Sequence, residues 1–143
     1  MSDVFKTQKG VRIYNPRFNG NGGYIRFFSA ADGKKKIHRG LTLPKSVFEK
    51  LPWIAGDYLI VDVYEDLNTF VLRLPKDGET GDFELQEHSR NAYRISSTAL
   101  SDAIQTYSMN WGYKNVERFT HWIINDGIAF KPISSNKRYK EAE

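Results

Sequence analysis

Nine side chains near the start of the chain have the type and spacing to hold a polyanion: Arg12, Arg17, Arg26, Lys34, Lys35, Lys36, His38, Arg39 and Lys45. The three lysines follow Ala31-Asp32-Gly33, a turn signal, and His38 and Arg39 lie on the strand that this turn feeds. A duplex carries dense phosphate charge, and cations that release its counterions gain binding free energy. Closely spaced Lys and Arg on a projecting hairpin are equipped for that exchange. Arg26 and Arg39 are expected on one face of paired strands, where a guanidinium has the bidentate geometry to read guanine. Arg12 and Arg17 would extend the contact along the backbone. Tyr14, Phe18, Tyr24, Phe27 and Phe28 interleave with these cations. Tyr24 and Phe27 are expected in the core, and Phe18, on a Gly-rich loop, is a stacking candidate.

A Lys-rich turn is also ordinary solvated surface, so the distribution of charge bears on the choice. The whole chain is +4, yet residues 1–50 are +8 and residues 51–87 are −7. Such polarity orients a molecule towards a polyanion through its N-terminal third. The 143 residues, 40% of them hydrophobic and 14% aromatic, are enough for one sizeable core or two small fused units. There is no cysteine, which excludes disulfides, thiol nucleophiles and cysteine-ligated zinc. No stretch has signal-peptide character or the length of a membrane helix, so a soluble, cytoplasmic protein without membrane contact is expected.

Other chemistries find little support in the residues. His38, His88 and His121 are too scattered to read as metal ligands, and no zinc, calcium or phosphate-loop motif occurs. Gly20, Gly22 and Gly23 precede a strand, not a helix, and mark a flexible tip. The acids between 57 and 87 are expected in solvent. No catalytic residues, metal or cofactor are expected, and the chain reads as a non-enzyme.

The elements that must position the cations begin with strand-like residues 11–15 and 24–28, followed by a strand over 37–43. Pro44 fits the first position of a short helix over 45–51, whose Val47, Phe48 and Leu51 form an apolar stripe. Gly56-Asp57 introduces a mostly apolar strand over 58–65, and its antiparallel partner covers 69–74. Residues 76–82 read as a linker. A short strand over 83–86 follows, then a polar turn over 88–92 and Tyr93-Arg94-Ile95. Ser96, Ser97 or Thr98 caps a helix over 99–105, and 107–115 has no clear period. Strands over 116–124 and 128–133 flank Asn125-Asp126-Gly127. Residues 134–143 read as a polar tail.

Laid side by side, residues 24–75 and 83–133 share one order: strand, turn, basic strand, short helix, strand, tight turn, strand. The expected fold is mainly β with two short helices, one β-barrel domain over 1–133 with an N-terminal hairpin in residues 1–30. Two modules in one chain would form it, over 24–75 and 83–133.

Residues 40–75, with Leu43-Pro44 after a basic strand, a short helix ending at Leu51, Gly56-Asp57 and two strands closing at Leu74-Pro75, resemble the AbrB/MazE/SpoVT family of swapped-hairpin transcription factors. The second copy has Ser-Ser where Leu-Pro would stand and lacks Gly-Asp. The resemblance implies a pseudo-twofold swapped-hairpin barrel, either a monomeric pseudodimer or a homodimer. It implies contact with double-stranded DNA through the first hairpin and a role in bacterial or phage transcription regulation. The alternative is a phage- or plasmid-type inhibitor or adaptor that binds a host protein. It would use Glu65 and Asp66 on the acidic strands and the loop aromatics Trp53, Trp111 and Tyr113 as anchors.

Overall fold

Apolar side chains that alternate with polar ones along short β-rich segments leave this chain little choice but sheet. The computed structural model describes residues 6–8, 24–31, 37–49, 51–125 and 127–134. Its strands are β1 (Lys6–Gln8), β2 (Ile25–Ala31), β3 (Ile37–Pro44), β4 (Tyr58–Tyr64) and β5 (Thr69–Arg73), then β6 (Phe83–Glu84), β7 (Gln86–Ser89), β8 (Ala92–Ser96), β9 (Arg118–Ile124) and β10 (Gly127–Ile133). One helix, α1, covers Thr98–Asn110.

The strands form one sheet in the order β1-β4-β5-β10-β9-β2-β3-β8-β7, with β6 pairing back onto β4. All pairings are antiparallel except β1 with β4. Because β6 and β7 are separated only by Leu85, the return of β6 to β4 nearly closes a nine-stranded antiparallel barrel. Backbone bonds reinforce the junction: Asp82 N–H donates to Leu59 O, Leu85 N–H to Asp57 O, and Gly56 N–H to Leu85 O, each at 2.8 Å. Gly56 makes that turn at φ +102°, a conformation that side chains rarely adopt.

Inside the barrel lie Ile25, Leu41, Leu43, Leu59, Val61, Val63, Phe70, Leu72, Ile95, Phe119, Ile128 and Phe130, all at 1% exposure or less. An aromatic chain crosses this core: Phe27 to Phe119 at 5.2 Å between ring centres, Phe119 to Phe130 at 5.4 Å, Phe130 to Phe70 at 5.3 Å, and Phe70 to Trp111 at 5.1 Å. On the opposite face of β5, β10 and β9 a smaller apolar cluster joins Val71, Ala129 and Trp122. This explains why β4 and β5 read as nearly continuous apolar runs: both of their faces are buried.

The expected helices differ from those observed. After Pro44 the chain makes only a 3-10 turn, Lys45–Phe48, with Val47 and Phe48 buried. Phe48 fits edge-on to Trp53 and Tyr93, and Pro52 stops the chain from continuing. The second helix is longer than its periodicity announced. Ser97 Oγ accepts from Leu100 N–H at 3.0 Å as the N-cap, and α1 then runs on to Asn110, into the segment that had no clear period. Tyr107 and Trp111 extend it because both pack against Phe70, a partner that local sequence does not reveal.

Residues 74–82 are held against the barrel. Arg73 lies buried between Asp62 and Glu79, and Glu79 also accepts from Lys76 N–H at 2.9 Å.

Candidate nucleic-acid interface

Four neighbouring strands, β9, β2, β3 and β8, contain no Asp or Glu, and they carry Arg26, Arg39, Arg94 and Arg118 together with His38 and His121. Which of these share a face follows from register. Arg26 stands opposite Arg118 on β9 and opposite Thr42 on β3, and Thr42 stands opposite Arg94 on β8. Directly opposed residues project from the same side of a sheet. Their chain neighbours Ile25, Leu41, Leu43, Ile95 and Phe119 fill the core, so Arg118, Arg26, Thr42 and Arg94 form a row across the outside. At about 4.8 Å per strand the row is about 14 Å long.

Like charges directly opposed across an antiparallel pair are unfavourable. Arg26 and Arg118 are so opposed, and among the described residues none of Arg26, Arg94 and Arg118 makes an ion pair. The relief available is aromatic: the Arg118 guanidinium lies 4.4 Å from the Tyr24 ring centre, and that of Arg94 lies 5.2 Å from Phe28. These contacts orient the guanidinium groups while leaving their charge uncompensated. The aromatics that interleave in sequence thus work partly on the outer face, as supports for arginine.

The β2–β3 pairing continues through Ser29–Arg39, Ala30–His38 and Ala31–Ile37. On its flanks, β8 stops at Ser96 opposite Gly40, and β9 stops at Arg118 opposite Arg26. Ser97 N–H still donates to Arg39 O at 2.8 Å, so the last two rungs of two-stranded ribbon run on past both neighbours, about 7 Å at 3.3 Å per residue. His38 occupies the same face of this ribbon as Arg26. A two-stranded ribbon is of a size that a major groove admits.

Two of the sequence expectations need correction here. Arg39 does not share a face with Arg26: it pairs with Ser29, has the parity of Leu41, and reaches Asp102 on α1 at 3.8 Å. Both partners of that ion pair are exposed, so it contributes at most about 1 kcal/mol. Lys45 is not part of the cluster either. It follows the far end of β3, bonds to Glu87 and sits 5.1 Å from the Tyr93 ring centre. Arg12, Arg17, Lys34, Lys35 and Lys36 lie outside the described residues. Arg94 and Arg118 are not legible in the sequence as candidates because the pairings that align them with Arg26 join strands distant in sequence. Their only local signal is that each directly adjoins a buried residue, Ile95 or Phe119.

The acidic segment is less uniformly solvated than expected. Asp62 is 2% exposed and accepts from Arg73 Nε at 2.6 Å and Nη2 at 3.3 Å. Glu79 accepts from Nη1 at 2.7 Å and Nη2 at 3.0 Å. These carboxylates hold the guanidinium further into its charged form, against the opposing effect of burial. Glu65 and Asp66 remain exposed in the β4–β5 turn. Trp53, at 5% exposure, is part of the core, and Trp111 and Tyr113 are half-buried against it. His121 is buried opposite Phe130, and burial pushes its imidazole below the ordinary value. Among the described residues no group of three or more potential ligands is placed to hold a metal ion, and no helix is long and apolar enough to cross a membrane.

No protein-family model, curated protein or solved structure matches the chain.

Proposed function

We propose that this chain is a non-catalytic DNA-binding protein, a transcriptional regulator that meets duplex DNA with the outer face of β9, β2, β3 and β8 and with the β2–β3 ribbon. The observation that carries the reading is the row Arg118–Arg26–Thr42–Arg94 on four strands without a carboxylate. Two opposed arginines without an acidic partner among the described residues reduce the stability of the free protein and gain when phosphate oxygens arrive. A local conflict of that kind is expected where function, not folding, sets the residues. Arg26, Arg94 and Arg118 contact phosphate or base edges, and His38 enters with the ribbon.

The same reading takes the barrel as a pseudo-twofold swapped-hairpin module, in line with the resemblance of residues 40–75. Its support is the exchange in strand pairing: β2 of the first half pairs with β9 of the second, and β6 of the second half pairs with β4 of the first. The strand order reads the same when the halves are interchanged. Of the anchors of the alternative, a protein-binding adaptor, Trp53 is within the core, while Trp111 and Tyr113 are half-buried and Glu65 and Asp66 exposed.

Titration of a labelled duplex by fluorescence anisotropy at two salt concentrations tests the reading. Three phosphate contacts give a log–log salt slope near −2.7, or about 40-fold weaker binding between about 50 and 200 mM salt. Absence of binding at the lower concentration, or an affinity indifferent to salt, overturns it.

A further inference from the structure

The two halves meet at four strand junctions, β5–β10, β3–β8, β2–β9 and β6–β4; interchanging the halves exchanges the last two, and these two carry opposite charge. At β2–β9, Ile25 stands opposite Phe119 and Arg26 opposite Arg118. At β6–β4, Phe83 stands opposite Leu59 and Glu84 opposite Tyr58. Ile25, Phe119 and Leu59 are 0% exposed and Phe83 is 8% exposed, so the inward residues correspond and both junctions have the same parity. The outward residues therefore also correspond: where one junction presents Arg26 and Arg118, the other presents Glu84 and Tyr58. The hairpins differ in the same sense. The β2–β3 hairpin runs two rungs past its neighbours, whereas β7–β8 turns at Arg90-Asn91 directly after Ser89 pairs with Ala92.

We propose that DNA is engaged at the β2–β9 junction alone, so that one chain recognises one asymmetric element and not an inverted repeat. This rests on the DNA-binding reading above. A phosphate at the β6–β4 junction would meet the Glu84 carboxylate and be repelled, while at β2–β9 it would meet two guanidinium groups. A symmetric two-chain module reads two equivalent half-sites; here the strand order is symmetric under exchange and the charge is not. The duplex is consequently bound in a single polarity, its contacts gathered along the arginine row and the ribbon.

The test compares variants of the full chain on one short labelled duplex at low salt, with sedimentation to give stoichiometry. Expected are saturation at one duplex per chain, a loss of about tenfold in affinity for Arg26→Gln and for Arg118→Gln, and a change within about twofold for Glu84→Gln and Tyr58→Phe. The four substitutions are on exposed or half-exposed positions, and thermal melts of each variant identify any that unfolds. Two duplexes per chain, or losses at Glu84 and Tyr58 equal to those at Arg26 and Arg118, overturn the one-sided contact while leaving DNA binding intact. No duplex bound by the parent chain at low salt overturns both proposals.

Discussion

Arg73 and Arg26 are neighbours neither in sequence nor in role, and the contrast between them defines how this chain uses charge. Arg73 is buried and doubly forked, with bonds to both carboxylates of Asp62 and Glu79 and to Leu74 O at 3.2 Å. Removing one partner from a buried charge network leaves the others unpaired. Arg73→Met is therefore expected to destabilise the fold by about 3–5 kcal/mol in urea unfolding, with Arg73→Lys in between because an ammonium cannot reproduce the fork. A loss below about 1 kcal/mol would show that the network does not hold the fold. His121 makes a second residue-scale prediction. Its folded-state value is lowered by burial, so the folded chain keeps the imidazole neutral while the unfolded chain takes up a proton below about pH 6.5. Stability present at neutral pH is thus lost as pH falls through that value. His121→Gln should lose less stability than the parent between about pH 7.5 and 5.5, and an equal loss would contradict the assignment.

At the scale of elements, the β3–β8 pairing is what brings Arg94 into line with Arg26, and Gly40 is what permits it. A Cβ on Gly40 would stand 1.9 Å from Ile95 O and 2.9 Å from the Phe28 ring. Gly40→Ala must push the two strands apart, with an expected loss of about 1–3 kcal/mol and weaker DNA binding, since Arg94 and Phe28 move together. An unchanged melting temperature would mean that the register is wrong. The sequence made β2 to β5, β9 and β10 readable, because their β-branched and aromatic runs end at Gly, Asn or Asp turns. Helix lengths were not readable: Lys45–Phe48 ends early at a Trp53–Tyr93 pocket, and α1 runs on because Tyr107 and Trp111 meet Phe70. Arg26 and His38 were legible as candidate site residues from local charge. Arg94 and Arg118 were not, because register between distant strands is a tertiary property; for the same reason Arg39, though close to Arg26 in the hairpin, belongs to the other face.

For the whole molecule, the barrel separates its charges: the carboxylate-free strands β9, β2, β3 and β8 lie together, while the acids of residues 57–87 accompany β4 to β7 or pair internally. A polyanion approaching such a surface is oriented before it touches. The aromatic supports, Tyr24 under Arg118 and Phe28 under Arg94, orient the guanidinium groups, which would limit the conformational freedom lost on the proposed binding. The central claim is that these three arginines act as one phosphate-binding row. Its most direct measurement is the salt dependence of duplex affinity for the parent chain and for the Arg26→Gln, Arg94→Gln, Arg118→Gln triple variant. The account predicts that the log–log slope becomes shallower by about 2.7 in the triple variant, with affinity at low salt falling at least about 100-fold. A variant that stays folded and keeps the parent slope would contradict it.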